Sequence, residues 1–125
     1  MSSLTVYLCV ALGGALGSVA RLGAVELSAR MWGHDFPWGT LAVNIAGSFV
    51  IGFFSTVTDV DAGGRWPVGI AGRQFFMTGV LGGFTTYSAF AVQTAGLLGV
   101  APLAGIVLGV VSVLLGLAAA ALGLR

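Results

Sequence analysis

Residues 74–124 read QFFMTGVLGGFTTYSAFAVQTAGLLGVAPLAGIVLGVVSVLLGLAAAALGL, a stretch without one charged side chain. A helix needs about 20 apolar residues to cross the hydrocarbon core of a bilayer. The stretch therefore crosses twice, with a third span over about 67–98 and a fourth over about 102–124, before Arg125. Upstream lies a polar turn, Asp59-Val60-Asp61-Ala62-Gly63-Gly64-Arg65. A second span precedes it over about 39–58. The connection at 28–38 carries Arg30, His34, Asp35 and Pro37, and the first span covers about 4–27. Trp32, Trp38 and Trp66 fall near span ends, where aromatic belts sit. The pattern predicts an all-α integral membrane protein. Residues 1–125 form a single four-helix domain, multi-pass in the cell membrane.

Composition agrees. The chain is 58% hydrophobic and 7% charged, with a mean hydropathy of +1.06, where soluble domains carry about 25% charged residues. The basic residues are Arg21, Arg30, Arg65, Arg73 and Arg125, and the acidic ones are Glu26, Asp35, Asp59 and Asp61. A formal charge of +1 with no basic patch excludes a nucleic-acid partner. Cys9 reads as a small core residue, and His34 lacks the Cys or His companions of a metal site. No nucleophile–base pair or phosphate loop appears, which argues against an enzyme. Met1 to Thr5 lacks a charged n-region, so the first apolar run is read as a mature helix, not a signal peptide.

The third span is too long for one plain helix. Its middle reads Gly79-Val80-Leu81-Gly82-Gly83-Phe84-Thr85-Thr86-Tyr87-Ser88, where paired glycines and threonines weaken helical propensity. A break at bilayer depth survives only when buried in protein or lining a cavity, and such breaks often mark ion sites. Two half-helices around a central break are expected. The arginine bias between the two sides is too small to fix one orientation under the positive-inside rule. Dual insertion and an antiparallel two-fold dimer follow as an expectation. Gly13-x-x-x-Gly17, Gly105-x-x-x-Gly109 and Ser112-x-x-x-Gly116 read as close-packing pairs.

Polar groups within the spans are costly and therefore candidates for function. Thr40, Asn44 and Ser48 recur at i, i+4 and i+8 on one helical face. Their neutral donors suit an anion better than a cation, or they bond neighbouring helices as glue, the reading favoured for Ser48. Tyr87 and Phe90 share a face at i, i+3. Their positive ring edges line an anion path, or they simply pack. Arg21 either snorkels to the interface or concentrates anions at a vestibule.

These motifs resemble the Fluc (CrcB) fluoride channel family. The resemblance rests on Gly13 to Arg21, Gly39 to Phe49 and Gly79 to Phe90, and it covers nearly the whole chain. It implies an antiparallel homodimer with two pores that exports fluoride passively and so lowers its toxicity. It implies a structural sodium ion at the dimer centre, held by the backbone carbonyls of Gly82 and Thr85. It implies that Asn44 donates to fluoride and that Tyr87 and Phe90 occupy the two positions of a phenylalanine box. Ser88, Thr40 and Ser112 complete a polar track, and Arg21 lies in the vestibule. Two positions depart from the pattern: Tyr87 stands where phenylalanine is usual, and Gln93 where many members carry an acid. They raise the alternative of a heterodimer with a divergent paralogous chain. A small multidrug-resistance-type transporter is the rival from another class, but it needs a first-span carboxylate that residues 2–20 lack. A non-conducting scaffold subunit is the third reading.

Overall fold

The computed structural model describes residues 2–59 and 63–125. The middle of the expected polar turn, Asp61 included, lies outside the described residues. Helix α1 is Ser3–Trp32, capped by the Ser2 hydroxyl, which accepts from the Thr5 N–H at 3.3 Å. It runs about one turn past the expected end at Leu27. Gly33, with φ 82°, stops it, and the Gly33 N–H closes on the Ala29 carbonyl at 2.8 Å. That left-handed backbone suits glycine. Helix α2 is Trp38–Thr58. At its C-terminus Arg73 Nη1 donates to the Thr58 hydroxyl at 2.7 Å, which in turn donates to the Phe54 carbonyl at 2.6 Å. A cation suits the partial negative charge of a helix C-terminus.

The third span, Ile70–Val100, is bent and built of pieces. It comprises α3 (Ile70–Arg73), a π-helical stretch (Gln74–Leu81), α4 (Gly82–Phe84) and, after the break, α5 (Tyr87–Val100). The glycines do not make the break. Gly82 and Gly83 remain helical, and the chain turns extended at Thr85 (φ −85°, ψ 157°) and Thr86 (φ −151°, ψ 120°). The physical reason is hydrogen-bond supply. The Thr85 hydroxyl donates to the Leu81 carbonyl at 2.9 Å, and the Thr86 hydroxyl accepts from the Ala89 N–H at 3.2 Å as the cap of α5. Glycine has no side chain to satisfy backbone groups freed at membrane depth. Helix α6, Pro102–Gly123, follows after Ala101 alone. Proline at the first helical position needs no donor and forces an extended residue before it.

The break also changes the partner of the third span. Its first half (residues 70–84) packs on α1, while α5 packs on α6, and α2 packs on α6 and touches both halves. The first contact is backbone to backbone. A Cβ on Gly83 would lie 2.6 Å from the Gly14 carbonyl oxygen, and one on Gly17 would collide with the Val80 carbonyl. The small-residue pairs thus pack helices within the chain. Gly17→Ala is expected to cost about 1–3 kcal/mol or more, read as a lower thermal midpoint in detergent. Gly14→Ala, with nothing within 4 Å of its Cβ, should leave that midpoint unchanged or raise it slightly, since alanine is the better helix former. An equal loss in both would contradict this packing.

The chain buries few large apolar side chains, among them Leu108, Val43 and Leu81. Leu12, Leu16, Val19, Leu103, Leu114 and Leu117 all stand more than half exposed. Among the described residues four helices are long and apolar enough to cross a membrane, and such exposure is tolerable only where the surroundings are themselves apolar.

Candidate functional site

The break opens onto a cleft of about 330 Å³ between α2, the third span and α6. Asn44 reaches it from the middle of α2, and its amide is fully oriented. Nδ2 donates to the Thr86 carbonyl at 2.9 Å, and Oδ1 accepts from the Thr86 N–H at 2.7 Å. One side chain thus satisfies both backbone groups of the extended residue. A primary amide carries two N–H bonds, and the Thr86 carbonyl uses one. The glue and donor readings of Asn44 are therefore compatible.

Ser48, Tyr87, Phe90 and Ser112 line the same cleft, as do Gly82 and Thr85. The Tyr87 and Phe90 rings lie 5.7 Å apart at 53°. The Ser48 hydroxyl donates to the Asn44 backbone carbonyl one turn earlier in α2 itself, at 2.6 Å, so the bond does not tie α2 to a neighbouring helix. The Ser112 oxygen is buried and has no hydrogen-bond partner among the described residues. A buried hydroxyl without a partner is uncommon and calls for a ligand or water. Every side chain lining the cleft is uncharged.

Three expected residues sit elsewhere. Thr40 is 2% exposed and lines a second cleft of about 310 Å³ near the α1–α2 connection, with His34, Asp35 and Gln93. The Gln93 Oε1 is also buried without a partner among the described residues. Ser88 pairs its hydroxyl with that of Thr86 at 3.3 Å. Arg21 lines neither cleft; its Nε donates to the Gly83 carbonyl at 3.1 Å. Thr86 was read from the sequence only as part of the break motif and not as a site residue, although a hydroxyl cap before an aromatic-rich helix start was its visible signal.

The break also leaves carbonyls without donors. The Thr86 N–H, which would close on the Gly82 carbonyl in a continuous helix, goes to Asn44 instead. The Thr85 carbonyl receives no donor among the described residues, and the Gly82 carbonyl loses its usual one to Asn44. Unclaimed carbonyl oxygens are ligands for a hard cation.

The sequence matches the family described as CrcB-like protein, Camphor Resistance (CrcB), over residues 8–124. It is 58% identical over 95 residues to the fluoride-specific ion channel FluC of Opitutus terrae, covering 76% of this chain and 70% of that protein. It is 50% identical over 114 residues to the fluoride-specific ion channel FluC of Rhodospirillum rubrum, covering 88% and 87%. A FluC of Methylocella silvestris is 46% identical over 92 residues, covering 74% and 69%.

Proposed function

The chain belongs to the CrcB-like family, and from that premise we infer that it is a fluoride-selective ion channel of the cell membrane, not an enzyme. The observation that carries the inference to this chain's own residues is the uncharged cleft at the break. There Asn44 holds Thr86 and keeps one N–H to offer.

Fluoride is small and strongly hydrated. A pore must replace its water with donors yet bind weakly enough to let the ion leave. Asn44, Ser112, Tyr87 and Phe90 line one cleft, and they carry neutral donors, an amide, a hydroxyl and positive ring edges. Thr40 and Ser88 lie beyond its walls and extend the polar track only if the path continues past it. Conduction is passive, and an inside-negative potential drives the anion out of the cytoplasm.

The cleft is partly open, and many large apolar side chains are exposed. Both features favour a dimer whose second copy closes the path, antiparallel as the weak arginine bias suggests. A divergent paralogous chain is the alternative partner. The Thr85 carbonyl, and the Gly82 carbonyl whose usual donor goes to Asn44, fit a structural sodium ion at the dimer centre. When bound, the ion supplies positive charge to the exposed C-terminal end of the first half-helix.

The test is fluoride efflux from liposomes holding only this purified chain, with a potassium gradient and valinomycin carrying countercharge. Fast fluoride efflux without chloride efflux is expected. Silence from a well-folded dimer would overturn the homodimer and send the search to a second chain. Efflux that requires external sodium on the purified channel would support the cation.

A further inference from the structure

We propose that Arg21 is a positioning residue that fixes the end of the first half-helix at the break, not a charge that gathers anions. The last four carbonyls of any helix lack donors from that helix. In the half-helix at 70–84 these belong to Leu81, Gly82, Gly83 and Phe84. Leu81 is served twice by Thr85, through its N–H and its hydroxyl, both at 2.9 Å. Gly83 is served by Arg21 Nε at 3.1 Å, from 62 residues away. Asn44 then holds Thr86 on the far side of the break. Arg21 and Asn44 thus grip the two ends of the broken segment from different helices.

The local sequence explains how a cation can sit there. Ser18 and Arg21 share a face of α1 at i, i+3, and Gly83 approaches that face closely. A Cβ on Gly83 would lie 2.6 Å from the Gly14 oxygen and 3.0 Å from the Ser18 nitrogen. A charge within a membrane span is tolerated when it pairs with backbone carbonyls, and at a helix C-terminus its sign is favourable. Arg21 lines neither the cleft at the break nor the one at the α1–α2 connection.

Arg21→Lys separates the two roles at the level of atoms. Lysine keeps the charge but places a methylene where Nε stands. The full-length chain is measured in two ways, by amide hydrogen exchange across residues 84–88 and by fluoride efflux at low and high ionic strength. Arg21→Lys is expected to speed exchange of the Thr85 and Thr86 amides about tenfold, the loss of one charge-assisted hydrogen bond. Efflux should fall about as much, equally at both ionic strengths. Wild-type exchange and efflux in Arg21→Lys, with a salt-dependent loss in Arg21→Gln, would overturn the proposal. Faster exchange with unchanged efflux would overturn it too. Should the variants fail to fold, the wild-type Arg21 Nε–H decides by nitrogen-15 resonance. Slow exchange with water supports the bond to Gly83, and the rate of a free guanidinium refutes it. Only the efflux arm rests on the channel reading. If the wild-type chain passes no fluoride, that reading fails while the exchange arm still judges Arg21.

Discussion

Asn44→Asp lowers fluoride efflux at least about 100-fold, the largest effect expected of any single substitution in this chain. Two causes act together. The Nδ2 that donates to the Thr86 carbonyl at 2.9 Å becomes an acceptor oxygen, so two acceptors face each other where a hydrogen bond stood. If the carboxylate ionises, it also places a like charge beside the anion path. Two unit charges at 4 Å repel by about 4 kcal/mol at an effective dielectric constant of 20, which exceeds the 100-fold threshold on its own. Protonation of the aspartate would relieve the charge but would leave a single O–H in place of two N–H donors. The measurement is efflux normalised to folded dimer, with the thermal midpoint taken in parallel. A lower midpoint with unchanged efflux per folded protein would mean that the amide only ties α2 to the break.

The same residue shows what was legible in the sequence. A polar amide in an apolar span announced itself, but spacing alone left it divided between glue and ligand. The structure shows the hydrogen bonds to Thr86, and the amide's second N–H leaves both roles open. Thr40 shows the opposite. Steps of four residues put Thr40, Asn44 and Ser48 on one face, yet each step drifts by about 40° and climbs about 6 Å. Those increments carry Thr40 out of the cleft at the break and into the one beside Gln93.

The broken third span was legible, but its exact site was not. The motif from Gly79 to Ser88 offered paired glycines and paired threonines alike, and propensity does not choose between them. The chain breaks at Thr85 and Thr86, where hydroxyls and Asn44 receive the freed backbone groups. The glycines serve a different need, the close approach of α1. The π-helical stretch at Gln74–Leu81 was hidden altogether, because a wider helix leaves no separate signature in an apolar run that faces partners on several sides. Arg21 was visible as an intramembrane cation. Its partner, a backbone carbonyl on another helix, carries no residue-type signal and becomes evident only in three dimensions.

Phe90→Ile provides the second large effect, an efflux about tenfold lower with little change in thermal midpoint. Isoleucine remains apolar and fills part of the same space, so packing survives. It lacks the positive ring edge through which an aromatic side chain meets an anion. A change of about 1.4 kcal/mol in the barrier is tenfold in rate. The control is Tyr87→Phe. Tyr87 is 79% exposed, and its ring sits 5.7 Å from that of Phe90. Removing the phenolic hydroxyl keeps both ring edges and deletes one donor. A donor that holds the ion longer slows its release, so Tyr87→Phe should conduct at least as fast as the wild type. Equal losses in Phe90→Ile and Tyr87→Phe would point to a hydroxyl-dependent path. Unchanged efflux in Phe90→Ile, with a lower midpoint, would return the pair to ordinary aromatic packing. Only a loss confined to Phe90→Ile assigns conduction to the ring edge.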